Sequence, residues 1–389
     1  MKSRTELLFS IGFRPFYLGA AVFATLAVPA WFAAYAGWMP LEPVLPGYLW
    51  HAHEMLFGFA PAVIVGFLFT AARTWTGLAT PSGPALAALF GLWLGARVLM
   101  ITGPAGPAIA ADLLVLPLGA AALAVPLWRS RNWRNAFVVP LLLLLAGLAA
   151  AHHGAYRGWV GVQWLTRSTT TALDLLALLM AVIGGRVIPA FSANAIAGLS
   201  PRHWPALEIA ALGVLGAIVL LDASGAATAL PGAAARALFV SAALIHLLRL
   251  WGWQPWRTRS NRLLMVLPLG YLWLPVHLLL RGLLDAPGGS MPPPAVHALG
   301  VGAMATLMLA MMTRSALGHT GRALMAGPAE TVIFIAITLA ALARVAGPLL
   351  LPQAQVVWVG TSAALWTLAF ALFAARYAPI VAGPRVTEP

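Results

Sequence analysis

The sequence predicts an all-α polytopic membrane protein of about twelve transmembrane helices, and three observations carry that prediction. Of 389 residues, 61% are hydrophobic and only 8% charged, with 16 tryptophans and a mean hydropathy of +0.88. Such a composition belongs to multispanning membrane proteins. Apolar stretches recur at the length a hydrocarbon core about 30 Å thick requires, roughly 20 residues per helix. Basic residues punctuate these stretches and are shared unevenly between the two sides.

In chain order the stretches cover residues 15–38, 49–72, 84–102, 109–128, 135–155 and 168–190, then 205–222, 229–250, 262–284, 294–313, 328–349 and 355–378. Short runs of Pro, Gly or Arg separate them. The first follows Lys2, Arg4 and Arg14 and looks superficially like a signal peptide. It is too long for one and lacks a small-residue cleavage site before the next span, so it is expected to stay as helix 1.

Helices 1, 5 and 9 each open on a basic turn: Phe13-Arg14-Pro15, Trp133-Arg134-Asn135 and Asn261-Arg262-Leu263. Helices 2, 6 and 10 each close on arginine, then a glycine-containing loop and proline: Arg73, Gly77, Pro81; Arg186, Gly198, Pro201; Arg314, Gly321, Pro328. This recurrence suggests one transmembrane domain, 1–389, built of repeats 1–130, 131–258 and 259–389. Three such four-helix units would form a pseudo-threefold bundle with helices 1, 2, 5, 6, 9 and 10 lining its interior. The plainer account is that arginine-rich cytoplasmic loops look alike in any membrane protein.

Arg97, Arg157, Arg167, Arg236, Arg281 and Arg344 fall on one side of this scheme, and the other seventeen of the 23 basic residues on the opposite side. Cytoplasmic loops hold the excess of Lys and Arg, so both termini are expected inside, N-in/C-in. The net charge of +13 then reads as topology signal and contact with anionic membrane lipid. A nucleic-acid partner is not expected, because no soluble basic domain exists to hold one. The absence of cysteine excludes disulfides, thiolate metal sites and iron–sulfur clusters, leaving His, Met and carboxylates as ligands.

With that orientation, six of the nine histidines fall at one depth of the outer leaflet. His51, His53 and His297 begin helices 2 and 10, and His152 and His153 end helix 5. His277 lies roughly 22 Å along helix 9 from Arg262. A lone histidine at a helix end is more simply an interfacial group bonded to water or a carbonyl. Six at one level point to metal, because ionisable residues retained inside a membrane usually mark a site. His51 and His53 lie about 200° apart around a helix and face opposite ways, whereas His152 and His153, about 100° apart, can address one ion.

Six imidazoles suffice for one haem and one copper centre. Phe57, Gly58, Phe59, Gly66 and Phe67 offer an apolar wall for a macrocycle, and Arg281 a cation for its propionates; plain helix packing explains the same residues. Glu54 shares a face with His51 at spacing three, where it can orient that imidazole or carry protons, or simply serve the helix dipole. Asp174 is either a proton or ion site or the partner of an arginine on a neighbouring helix. Arg186 is expected to snorkel to headgroups.

The segments Trp50-His51-Ala52-His53-Glu54-Met55-Leu56-Phe57-Gly58-Phe59, Gly184-Gly185-Arg186-Val187-Ile188-Pro189-Ala190-Phe191 and Arg314-Ser315-Ala316-Leu317-Gly318-His319-Thr320-Gly321-Arg322, with Phe13-Arg14-Pro15-Phe16 before them, together resemble the NnrS family over essentially the whole chain. That resemblance implies a bacterial inner-membrane protein of about twelve helices that holds haem and copper and is linked to nitric oxide metabolism and nitrosative-stress resistance.

 The haem is expected to be b-type, and nitric oxide is the implied partner, with electrons drawn from quinol or a donor protein. Ser192 and the stretch Arg73-Thr74-Trp75 depart from the pattern, and His277 matches no family motif. Segment 51–67 is also similar to helix two of the haem–copper oxidase superfamily, whose histidine binds the low-spin haem. Helices 6 and 7 lack that superfamily's copper histidines.

The equivalent repeat positions of helices 2 and 10 and the common depth of the histidines lead to two expectations about ligands, with His51 preferred on helix two by its alignment. His51 or His53 pairs with His297 as axial haem ligands, and copper takes the remaining helix-two histidine with His152, His153 and His277. Two functional classes stay open. The chain is a haem–copper oxidoreductase that binds or converts nitric oxide, with Glu54 delivering protons, or it is a transporter or sensor of haem or an iron–nitrosyl species without redox turnover.

Overall fold

The computed structural model describes residues 3–40, 43–284 and 291–386. Among the described residues all regular structure is helical, and twelve helices are long and apolar enough to cross a membrane. We number them α1 (Phe13–Tyr35), α2 (Gly47–Thr76), α3 (Gly83–Thr102), α4 (Ala105–Arg129), α5 (Val138–Tyr156) and α6 (Trp164–Ala195). The remainder are α7 (Pro205–Ser224), α8 (Gly232–Gly252), α9 (Arg262–Leu283), α10 (Pro293–His319), α11 (Pro328–Leu350) and α12 (Pro352–Val381). Even α5, the shortest at 19 residues, spans about 28 Å at 1.5 Å per residue. Lys2, counted in the orientation argument, and residues 387–389 lie outside the described residues.

The surface of these helices is apolar in the manner of a lipid-facing wall: Leu26, Ile209, Leu220 and Ile335 are all exposed, an arrangement water would penalise. Trp38, Trp128, Trp133, Trp159 and Trp251, exposed at or near helix ends, have the placement of an interfacial aromatic belt. Inside, the helices differ sharply. The apolar window of α2 is 89% buried and those of α10, α9, α5 and α6 follow at 72%, 67%, 61% and 56%, while α7 is only 22% buried. These five most buried spans belong to the set of six expected to line the interior; α1, the sixth, is no more buried than α4 and α11.

The chain forms two compact units. The first contains residues 1–169, 312–324 and 370–389, and the second residues 170–311 and 325–369. In the first, α1 packs on α2, and α4 packs on α2, α3 and α5. One end of this unit is tied by Arg14, whose Nη1 donates to the carbonyls of Leu7, Val381 and Gly383. Val386 N–H donates to the Thr320 carbonyl at 2.9 Å. Gly321 has φ +72° and any Cβ there would strike the Val386 carbonyl, so only glycine fits.

In the second unit α8 packs on α9, and α9 and α11 pack on α10. Arg249 of α8 is its keystone. Its Nε donates to Glu208 at 2.9 Å, and its Nη1 to the Ala181 carbonyl and the Tyr271 hydroxyl, each at 2.8 Å. Gly184 and Gly185 of α6 lie against Tyr271 and Arg249; their missing side chains make room for the buried guanidinium and phenol.

Two spans are not regular α-helix throughout. Glu54–Phe59 in α2 and Ala298–Ala305 in α10 are π-helical. Each begins directly after a histidine, His53 or His297, and each holds a glycine five residues on, Gly58 or Gly302. Gly58 is covered by Arg97 and Gly302 by Trp273. A wider turn leaves backbone groups to be satisfied elsewhere, and Trp93 Nε1 donates to the Gly58 carbonyl at 3.0 Å.

Candidate metal centre

Four helices of the first unit bring polar side chains to one dry point. His53 and Glu54 come from α2, Arg97 from α3, Asp112 from α4, and His152 and His153 from α5. The sequence aims each of them inward. On α4, Ala108, Ile109, Asp112, Val115, Leu116 and Gly119 form the buried stripe, with the spacing of an amphipathic helix in which Asp112 takes a core position. On α3 the buried face carries Leu86, Leu89, Trp93, Ala96, Arg97 and Met100.

The centre is built around Asp112. Its Oδ2 lies 3.1 Å from His53 Nε2 and 3.1 Å from His153 Nε2, while its Oδ1 accepts from Arg97 Nη2. Arg97 Nη1 donates to Glu54 Oε2 at 2.7 Å, and Glu54 Oε1 lies 3.1 Å from His53 Nδ1. His152 stands beside them, its ring 5.8 Å from that of His53, with Nδ1 3.1 Å from the Ser168 hydroxyl. His53, Glu54, His152 and His153 are fully buried, and Arg97 and Asp112 nearly so. Phe57 closes one side, 5.4 Å from the His53 ring and 6.2 Å from that of His152.

Ligand atoms of His53, Asp112 and His153 all lie within 4.8 Å of one another, a group able to hold a metal ion. Two observations favour an ion over a purely structural network. His152 Nε2 and His153 Nδ1 are buried with no hydrogen-bond partner, and His53 Nε2, although near Asp112, is not aligned for a hydrogen bond. Orphaned nitrogens in a dry interior are costly. The Ser168 contact on Nδ1 of His152 also fixes that ring with Nε2 left to bind, as the outer partners of metal-bound histidines do. Imidazole with carboxylate suits copper, iron or zinc.

The expected site residues are placed as follows. His53, His152, His153 and Glu54 meet in this centre. Both Glu54 oxygens are taken by His53 and Arg97, a different engagement from the His51 pairing that spacing suggested. His51, on the other side of α2, stacks on Trp31 with ring centroids 4.0 Å apart. His277 and His297 belong to the second unit, where each Nδ1 donates to a carbonyl at 2.8 Å, that of Ala295 and of Pro293 respectively. Arg281 is engaged by Asp174 and Asp222, so Asp174 is the partner of a neighbouring helix's arginine.

Sequence reasoning missed Asp112 altogether and used Arg97 only as a topology charge. The available signal was their position inside apolar windows, where a charge needs a partner. Gly58 and Gly66, expected beside a macrocycle, are instead covered by Arg97 and Phe16 of the same unit.

No curated protein matches the chain. The family model described as NnrS protein matches residues 7–385. That match spans nearly the whole of this twelve-helix chain with its buried His-Asp-His group, and the chain therefore belongs to the NnrS family.

Proposed function

We propose that this NnrS-family membrane protein binds copper at the His53, His152 and His153 imidazoles, with Asp112 beside them, and acts there on nitric oxide in a bacterial inner membrane. The observation that carries the reading is the convergence of three buried imidazoles and one carboxylate, two of the imidazole nitrogens orphaned, in a chain without thiols. A bound copper ion supplies a one-electron redox centre and a coordination position for a small ligand. The protein's own groups do the rest. Arg97 holds Asp112 and Glu54 in place through separate nitrogens. Phe57 and the apolar helices around it exclude water, and nitric oxide, small and apolar, reaches the site through lipid. Glu54 passes the proton, a role supported by its contact with His53. Electrons come from quinol or a donor protein.

Haem has no place at His53 in this reading, since both nitrogens of that imidazole face carboxylates. The α2 surface below His51 and His53, where Arg97 and Phe16 cover the glycines, does not fit a macrocycle.

The test is the double substitution His152→Ala, His153→Ala in the purified protein, with metal analysis. Copper should be lost while the helical fold remains. Unaltered copper content would discard the site and favour the transporter or sensor reading, with a haem-only protein.

A further inference from the structure

A second buried ionic cluster lies in the second unit, remote in sequence from the His-Asp-His group. Asp174 of α6 and Asp222 of α7 both bind Arg281 of α9. Asp174 Oδ1 accepts from Arg281 Nη1 at 2.8 Å, and Asp222 Oδ2 accepts from Arg281 Nη2. The three side chains are 3%, 8% and 7% exposed respectively, and Phe239 of α8 covers the guanidinium at 4.4 Å.

The charges do not balance. Arginine is always cationic, so two ionised carboxylates leave the cluster one negative charge in excess, in a place where uncompensated charge is expensive. Among the described residues, the neighbouring helices bring only Arg236 of α8, which is exposed, and His277 of α9, whose Nδ1 donates to the Ala295 carbonyl and whose Nε2 is buried without a partner. Two atoms ask for a ligand. Asp174 Oδ2 is buried without a hydrogen-bond partner, and so is the hydroxyl of Thr171, which is three residues earlier on α6 and therefore on the same helix face. Asp174 and Asp222 also bind the two terminal nitrogens of one guanidinium, which draws their carboxyls to a common point. Carboxylates that share a site in this way do not both ionise.

We propose that Asp174 and Asp222 hold one exchangeable proton between them, so that the Asp174–Asp222–Arg281 cluster is an intramembrane proton-binding site. One proton neutralises the cluster and supplies the missing donor, with Thr171 as a further hydrogen-bonding group. Asp222 and Arg281 each lie two residues from the end of their helix, so the proton exchanges with water at the face where α7 and α9 end.

Infrared spectroscopy of the full chain in lipid nanodiscs near neutral pH tests this. The wild type should show the carbonyl stretch of one protonated carboxyl per chain. The band should shift in D2O and on carbon-13 labelling of aspartate, which restricts it to Asp112, Asp174, Asp222 and Asp285. Asp174→Asn and Asp222→Asn should each abolish the band without lowering the thermal unfolding temperature, since either leaves one carboxylate against one arginine. No protonated aspartate in the wild type would overturn the proposal whatever the variants do. A band that survives in both variants, or a sodium-dependent rise in unfolding temperature without any band, would overturn it too, the last in favour of a metal cation.

Discussion

Asp112 is the residue on which the first unit's polar centre depends, because it faces two imidazoles with one oxygen and Arg97 with the other. Asp112→Asn removes a negative charge that both neighbours need. It should abolish metal retention and leave Arg97 with Glu54 as its one carboxylate partner, at a loss of up to about 3–5 kcal/mol, the scale of a broken buried ion pair. Glu54→Gln should keep the metal, because Glu54 touches His53 and Arg97 without joining the His-Asp-His group. Metal content and thermal unfolding of the two variants check both statements; equal metal loss in both would mean that the carboxylates act as one charge. At this scale the residue types were readable and their pairings were not. Histidines at helix ends stand out in a chain with so few polar side chains, but whether His51 or His53 joins the centre depends on how α2 is rotated against α3, α4 and α5.

Among the helices, the recognisable sequence motifs turn out to be devices for close approach. Gly184 and Gly185 admit Tyr271 and Arg249, and Gly321 admits the Val386 carbonyl. In Gly185→Ala the new methyl would collide with the Arg249 guanidinium, which is held by Glu208, Ala181 and Tyr271 and has little freedom to move. A loss of about 1–3 kcal/mol follows for overpacking. Gly91→Ala, with nothing within 4 Å of the new atom, should be neutral or slightly stabilising by helix propensity. Unfolding temperatures of the two variants in one detergent decide the matter, and equal values would remove the packing role given to the motif. The π-helical segments of α2 and α10 were beyond sequence reading. A hydropathy window reports apolarity without helical pitch, so it cannot register the wider turn after His53 or His297.

For the whole molecule, membrane orientation is the property that follows from charge. Nearly three-quarters of the basic residues fall on one side by chain alternation, and by the positive-inside rule that side is expected in the cytoplasm. Reporter fusions after residue 386 and in the loop after His319 should both report a cytoplasmic position; an external signal from either would end the N-in/C-in assignment and the outer-leaflet depth given to the six histidines. The sequence by itself determined the twelve spans, within a few residues at most ends, and the family. Both rest on local information, since each span must be apolar along its own length and each motif is contiguous. Only the tertiary structure decided that Arg97 and Asp112 belong with His53 and His153, that Arg281 serves Asp174 and Asp222, and that the motif glycines sit under buried polar side chains. The physical reason is that a charge inside a membrane takes its meaning from the partner opposite it. That partner lies on another helix, at a depth and rotation that no single segment encodes.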